Sequence, residues 1–168
     1  MLLGYQGKLP VLDPSVYIAE GAKVIGDVSV GAESSIWFNA VLRGDLSPIV
    51  IGSRTNLQDG VIGHVNTGQP LIVMDDVSVG HGAIIHGCTI GQGTLIGMGA
   101  IVLNGAEIGE YALVGAGSLV TENKKIPPYT LSLGSPARVV RELTEADLQR
   151  MKTTAESYVI KGKEYRIT

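Results

Sequence analysis

Aliphatic side chains recur at every sixth position through most of this chain. One series is Ile90, Ile96, Val102, Ile108, Val114 and Val120, and an earlier series is Ile18, Val24, Val30, Ile36 and Leu42. A period of six fits neither an α-helix, with about 3.6 residues per turn, nor a single amphipathic strand, with a period of about two. It is typical of short strands joined by tight corners, in which each aliphatic residue points inward.

Three such strands close one triangular coil of about 18 residues, and stacked coils pair their backbones in parallel at roughly 4.8 Å. The pattern therefore predicts an all-β solenoid over about residues 10–135. The register holds over most of residues 18–120, which argues against a β-sandwich with chance periodicity. Composition agrees, because 23 of the 168 residues are glycine and only 5% are aromatic, as suits a narrow interior filled by small aliphatic side chains.

The last part of the chain has the period of a helix. After the proline- and glycine-containing segment "IPPYTLSLGSPARVV", the sequence predicts a helix over about residues 144–161, with Thr144 as N-cap and Gly162 at its end. One apolar face of that helix carries Leu148, Met151, Ala155, Tyr158 and Val159. We expect this face to pack on the outside of the solenoid or on a neighbouring subunit, and residues 1–168 to form one domain.

Charge and hydropathy exclude two classes of function. The net charge is −3 and the basic residues are scattered singly, so there is no basic surface of the kind that binds nucleic acid. No apolar run approaches the roughly 20 residues of a membrane span, and the N-terminal segment does not resemble a signal peptide. We therefore expect a cytoplasmic protein. The single cysteine, Cys88, excludes an intrachain disulfide and a zinc site built from several thiolates.

All three histidines fall within one short stretch, at His64, His81 and His86. Aligning "LQDGVIGHV" with "VGHGAIIHG" places His64 opposite His86 and Asp59 opposite His81. The separation of His64 from His86 is one coil plus a few residues, which we assign to an insertion within "NTGQP". In the next coil, ordinary aliphatic residues replace both histidines.

The spacing suggests a metal site shared between subunits. His64 and His86 lie on adjacent coils and could bind one zinc ion, whereas His81 lies about one face away and points from a different edge. A His81 from a neighbouring subunit could complete the set, which predicts a homo-oligomer, most naturally with three-fold symmetry. Three imidazoles leave one tetrahedral position open, as in catalytic zinc sites, and they also suit Fe(II), Co(II) or Ni(II).

Three long motifs resemble those of the gamma-class carbonic anhydrases: "WFNAVLRGD", "NLQDGVIGH" and "VGHGAIIHGCTIG". The resemblance covers nearly the whole chain. It implies a left-handed parallel β-helix, a homotrimer, and reversible hydration of CO2 to bicarbonate by zinc-bound hydroxide. His64 and His86 of one subunit and His81 of the next would be the metal ligands.

The same resemblance implies roles for the polar residues of these motifs. Gln58 would hydrogen-bond the hydroxide or bicarbonate, Asn56 would help to hold CO2, and Arg43 would contact bicarbonate. Asp45 and Asp59 would orient Arg43 and the subunit interface. The alternatives are a structural ion pair for the "RGD" segment and a polar corner of the coil for the two amides.

The resemblance is to the branch of this family that lacks a proton shuttle. Glutamates that follow the "RGD" aspartate and the first histidine in other members are absent, and Leu46 and the short "VNTGQP" stand in their places. Tyr158 matches a helix tyrosine that can reach the active site, with plain helix packing as the alternative. Cys88 is interpreted as a small buried packing residue.

Three functions are compatible with the sequence. The first is zinc-dependent CO2 hydration, with activity that the missing glutamates could make weak. The second is a metal-bearing assembly or binding subunit with little or no activity. The third is an acyl-CoA-dependent acyltransferase that uses a histidine as general base and needs no metal, which leaves the histidine trio and Gln58 without a role.

Overall fold

The computed structural model describes residues 1–167, which form a parallel β-solenoid followed by one α-helix. The strands are β1 (Leu2–Leu3), β2 (Val11–Leu12), β3 (Tyr17–Ile18), β4 (Lys23–Val30), β5 (Ser35–Ile36), β6 (Val41–Ile51), β7 (Asn56–Leu57), β8 (Ile62–His64), β9 (Leu71–Val73), β10 (Ser78–Val79), β11 (Ile84–His86), β12 (Thr89–Ile90), β13 (Leu95–Ile96), β14 (Ile101–Val102), β15 (Glu107–Ile108), β16 (Leu113–Val114), β17 (Leu119–Val120), β18 (Lys125–Ile126), β19 (Thr130–Leu133) and β20 (Arg138–Glu142). The helix is α1 (Glu145–Ile167). The predicted solenoid of hexapeptide coils with a C-terminal helix is confirmed.

The strands lie on three faces. The first face contains the start of β6 with β8, β11, β14 and β17, and the second contains the end of β6 with β9, β12, β15 and β18. The third face contains β3, β5, β7, β10, β13, β16 and β19, and β20 pairs antiparallel at its end. Because β4 and β6 bend across one corner, the first two faces belong to a single 12-stranded sheet.

Adjacent coils are in strict register on the first face. Ile62 pairs with Ile84, Ile84 with Ile101, and His64 with His86. The step from His64 to His86 is longer than one coil because a small hairpin, closed by the Asn66–Gln69 bridge, protrudes from the corner. This hairpin lies within "NTGQP", so the predicted insertion and the predicted pairing of the two histidines are both confirmed.

The every-sixth aliphatic residues fill the interior of the coils. Leu42, Ile85 and Val102 are fully buried at successive inward positions of the first face. Gly63 takes the inward position between Leu42 and Ile85, where an added Cβ would lie 2.6 Å from Leu42 Cδ2. A larger residue at this position would therefore require the Leu42 side chain to move.

Helix α1 covers the third face, where it packs against β3, β5, β7 and β10. It continues through Gly162 to Ile167, so the predicted end at Gly162 is wrong. Gly162 is buried, and an added Cβ would lie 3.5 Å from Ser35 Cβ and 3.6 Å from Tyr17 Cβ. This glycine thus lets the helix approach the solenoid closely instead of ending it. No helix in residues 1–167 is both long enough and apolar enough to cross a membrane.

The helix begins with a reciprocal cap. Thr144 Oγ1 accepts a hydrogen bond from the Asp147 amide at 3.2 Å, and Asp147 Oδ2 accepts one from the Thr144 amide at 3.0 Å. Arg141 and Arg150 also donate to the Asp147 carboxylate. The predicted N-cap is confirmed, and Asp147 ties the start of the helix to the end of β20.

The Asp147 carboxylate gives the helix a testable pH dependence. Hydrogen bonds from Arg141 and Thr144 hold the pKa of Asp147 well below its ordinary value. A lowered folded-state pKa adds stability that is present above the unfolded value of about 3.9 and is lost as the pH falls through the folded value. We expect Asp147→Asn to lower the midpoint of urea unfolding at pH 7, and the difference from wild type to shrink below about pH 4.

Glu145→Gln, at an exposed carboxylate in the same helical turn, is the control and should change the midpoint little. A difference between Asp147→Asn and wild type that stayed constant from pH 7 to pH 3 would contradict this account of the cap.

Candidate metal centre

Two histidines face each other across adjacent strands of the first face. His64 at the end of β8 pairs in register with His86 at the end of β11, and both side chains point outward beside a corner. His64 Nδ1 lies 2.9 Å from His86 Nε2. We call these two residues the histidine pair.

The outer nitrogen of each ring is held by an oxygen acceptor. His64 Nε2 lies 2.8 Å from Asp45 Oδ1, and His86 Nδ1 lies 2.6 Å from Asn104 Oδ1. A carboxylate and an amide oxygen only accept, so both outer nitrogens are the N–H donors. With one proton on each ring, the two inner nitrogens present lone pairs to each other. Such an arrangement repels unless a shared proton or a metal ion lies between the two nitrogens, so the donor set fits a bound metal ion.

Arg43 and Asp45 extend the histidine pair toward the preceding coil. Arg43 on β6 is in register with His64 and donates to Asp45 Oδ2, while the other Asp45 oxygen holds His64. Burial raises the pKa of Asp45, but the hydrogen bonds from His64 and Arg43 outweigh it and leave this pKa below the ordinary value. Asp45 is therefore an anionic bridge between a guanidinium and an imidazole.

His81 lies at the opposite edge of the first face. Its Nδ1 is 2.7 Å from Asp59 Oδ2, its amide donates to Gln58 Oε1 at 3.2 Å, and its side chain is 46% exposed. Gln58 Nε2 donates to Asn56 Oδ1 at 3.1 Å, and both amide side chains are buried. We call these four residues the His81 cluster. Within residues 1–167, no three His, Cys, Asp or Glu side chains are grouped to hold a metal ion, so one chain alone brings only the histidine pair together.

Tyr158 belongs to the packing between α1 and the solenoid. Its ring meets Trp37 edge-on at 5.2 Å, and burial followed by the nearby Asp59 charge raises the pKa of its hydroxyl. The tyrosine therefore lies on the side of the His81 cluster, and this chain does not bring it to the histidine pair by any contact.

Sequence reasoning missed Asn104. The coil alignment placed Leu103 opposite His86. The following residue, Asn104, lies at the corner, and its side chain contacts the His86 ring. The available signal was its position, one coil after His86 at a corner that is otherwise polar. Of the predicted site residues outside the two groups, Arg43 and Asp45 adjoin the histidine pair, and Tyr158 lies beside the His81 cluster.

Cys88 lies in the core and not at the histidine pair. Its side chain is buried, and burial raises the pKa of its thiol to about 12. The thiol therefore stays protonated near neutral pH, which agrees with the predicted packing role.

Comparisons with known proteins assign the fold to hexapeptide-repeat proteins. Residues 87–122 match the bacterial transferase hexapeptide (six repeats) family. A Geobacillus kaustophilus protein named "Carbonic anhydrase" is 52% identical over 99% of this chain and 91% of its own length. A Methanocaldococcus jannaschii protein named "Probable carbonic anhydrase" is 56% identical over 89% of this chain and 94% of its own length.

Among solved structures, a Bacillus cereus protein provisionally named an acetyltransferase superposes with a TM-score of 0.97. It is 52% identical, and the match covers 98% of this chain and 95% of that chain. Similar chains thus carry two different activity names, which the site residues must distinguish.

The Cys88 environment predicts an unreactive thiol. We expect the native protein to react with Ellman's reagent at pH 8 far more slowly than the urea-unfolded chain, which should titrate as one thiol. A Cys88→Ser variant provides the blank. Rapid labelling of the native protein would show that this thiol is accessible and would contradict the packing role.

Proposed function

Because the chain belongs to the gamma-class carbonic anhydrase family of hexapeptide-repeat proteins, we propose that it catalyses the reversible hydration of CO2 to bicarbonate. The proposed cofactor is zinc, with Fe(II), Co(II) or Ni(II) as alternatives that the same ligands suit. When bound, such a metal supplies a nucleophile at neutral pH by lowering the pKa of water to about 7. The single buried Cys88 also fits the reducing cytoplasm, which is the proposed compartment.

One observation carries the metal proposal. Each of the three histidines has one ring nitrogen held by an oxygen of its own chain, Asp45 for His64, Asn104 for His86 and Asp59 for His81. Such partners fix which nitrogen stays without a proton, as is usual for metal-binding histidines. A single histidine with such a partner is enough for an acyltransferase base. Three histidines on adjacent coils, each with its own partner, suit a set of metal ligands.

The two groups of residues support a site shared between subunits. The histidine pair and the His81 cluster lie at opposite edges of the first face, but on the same coils. Rotation about an axis parallel to the solenoid preserves height along that axis. A three-fold axis in this direction can therefore bring His81 of one subunit to the histidine pair of the next, in a closed ring of identical contacts.

The surface of the first face supports the same assembly. Its outward positions form a ladder of paired aliphatic residues: Val41, Ile62, Ile84, Ile101 and Leu119. At the corresponding positions of the second face, the last rungs are Thr89, Glu107 and Lys125, and the final two form an ion pair at 3.0 Å. Helix α1 covers neither of these faces, so the aliphatic first face is the surface that association would bury.

The polar residues beside the histidines supply the groups that the substrate needs. Gln58 and Asn56 form a fixed chain of amides, with one end held by the His81 backbone and the other by Ser78. We assign Gln58 to the bound hydroxide or bicarbonate and Asn56 to CO2. The Arg43 guanidinium is partly exposed beside His64 and suits a bicarbonate oxyanion. Tyr158 lies beside the His81 cluster and is assigned to the active site, with packing of the helix against Trp37 as the alternative.

This chain differs from family members that carry the two glutamates in how a proton can leave the proposed site. Leu46 is exposed next to Asp45, and the hairpin at residues 66–69 contains no acidic residue. Each hydration cycle releases a proton, so a dissolved buffer must accept it where no side chain does. Turnover should accordingly depend on buffer.

Two other functions remain as outcomes of the tests. An acyltransferase would act without a metal, and a metal-bearing assembly subunit would bind metal without turnover. The facing lone pairs of the histidine pair favour the metal-dependent alternatives over the acyltransferase.

Stopped-flow CO2 hydration on metal-quantified protein tests the function. We expect about one metal per chain and turnover that rises with imidazole concentration. His81→Ala should lower kcat/KM by at least about 100-fold, because it removes one ligand from every site. Metal without turnover at any buffer concentration would favour an assembly subunit, and activity without metal would favour another enzyme class.

A mixed-subunit experiment tests whether the site is shared. His81→Ala and His64→Ala should each be inactive alone. Trimers reassembled from equal amounts of the two should regain about a quarter of the wild-type activity, because one interface in four then pairs an intact histidine pair with an intact His81. No recovery in reassembled trimers would contradict a site built across the interface.

The aliphatic ladder predicts which face drives assembly. Ile84→Lys should convert the trimer to monomers in light-scattering measurements, since it places a charge at the centre of the first face. Thr89→Lys is the matched control at a comparable outward position of the second face, and it should leave the trimer intact. Trimers that survived Ile84→Lys and dissociated with Thr89→Lys would assign the interface to the second face.

A further inference from the structure

The corner that carries the histidine pair is a continuous polar column through successive coils. Arg43 donates to Asp45, Asp45 accepts from His64, His86 donates to Asn104, and Asn104 Nδ2 donates to Glu122 Oε1 at 3.4 Å. The only break in this sequence of donors and acceptors is the gap between the two inner ring nitrogens. The ring N–H groups of His64 and His86 both point away from that gap, toward Asp45 and Asn104.

Asn104 differs from the two groups that hold the other histidines. His64 and His81 are held by carboxylates, which accept in any orientation, whereas His86 is held by an amide with one accepting and one donating end. If the amide turned over, its NH2 group would face His86 Nδ1. The ring would then carry its proton on Nε2, directed into the gap where its lone pair is needed.

Two features of the chain hold the amide in the accepting orientation. Glu122, one coil further on, accepts from Asn104 Nδ2, so the carbonyl end is left for His86. Gly87 clears the path, because a Cβ at this position would lie 2.6 Å from Asn104 Oδ1. A side chain at residue 87 would therefore displace the oxygen that holds the ring.

We propose that Asn104 is a positioning residue that fixes His86 in its Nδ1–H form and so keeps His86 Nε2 available for metal. This inference rests on the proposed metal site. Glu122 orients the amide, and Gly87 provides the space for it. Asn104 itself touches neither metal nor substrate.

Two substitutions that keep the branched skeleton of the side chain separate this role from packing. Asn104→Asp keeps the oxygen that accepts from His86 Nδ1, and Asn104→Leu keeps the branched shape but removes the acceptor. In competition titrations with Zn²⁺ on the assembled protein, we expect Asn104→Leu to lower the affinity by about 10- to 100-fold. Asn104→Asp should stay within about three-fold of wild type or bind more tightly.

A second measurement does not depend on metal. Long-range ¹H–¹⁵N spectra of the metal-free protein at pH 8 report which nitrogen of each histidine carries the proton, and single histidine variants assign the three rings. We expect His86 in the Nδ1–H form in the wild type and in Asn104→Asp, and a mixture or the Nε2–H form in Asn104→Leu. His64 and His81 should not change, because their partners are other residues.

The two measurements separate failure of the inference from failure of the proposed function. An Asn104→Leu protein that kept the Nδ1–H form of His86 would overturn the positioning role, and so would one with wild-type Zn²⁺ affinity. Equal losses of affinity in the Leu and Asp variants would also overturn it, since both would then reflect packing. If the wild type bound no Zn²⁺ at all, the metal proposal would fail, and the spectra would still decide the role of Asn104.

Discussion

The parallel register between successive coils is the constraint on which the rest of this structure depends. Each backbone pair repeats the same inward and outward alternation at roughly 4.8 Å, so residues at equivalent positions form columns along the solenoid. A column of aliphatic residues becomes core, and a column of polar residues at a corner becomes a hydrogen-bonded line. His64 and His86 meet because β8 and β11 pair without a register shift. A slip of one residue in either strand would turn the imidazole of that strand toward the core.

The corner columns also explain how a site can be built without a pocket on a single chain. Within one coil, residues on different edges are separated by a whole face, so His81 and the histidine pair cannot converge. Between coils, however, side chains at one corner lie close enough to bond directly. Arg43, Asp45 and Asn104 therefore each contact a neighbour in the column, and the polarity of every contact is fixed by its donor and acceptor. Under the proposal for Asn104, the column would thus fix which nitrogen of each imidazole carries the proton before any metal binds.

The hexapeptide period was sufficient to predict the solenoid, the pairing of His64 with His86, and the insertion between them, because these features follow from counting residues along a repeating coil. It was insufficient for Asn104, whose role depends on the direction of one side chain at a corner. The local signal for a helix end also failed at Gly162. A glycine near the end of a helical pattern reads locally as a terminator, but here its missing side chain allows close contact with Tyr17 and Ser35. Such contacts between segments that are distant in the sequence produce no periodic pattern of residues. The union of His81 with the histidine pair remains a prediction, since it depends on a second chain.

In the proposed trimer, assembly and ligand geometry are coupled through the first face. Helix α1 already covers the third face, and the second carries charge toward one end, so the aliphatic ladder of the first face has the most to gain from burial. The two groups of site residues border this same ladder. In the proposed trimer, the apolar contact brings His81 to the histidine pair, and a shared metal would stabilise that contact in return by mass action. A separated chain would hold two of the proposed ligands at one edge and an exposed third imidazole at the other. In the proposed trimer each edge supplies the ligands that the other lacks, so the interface completes the metal site.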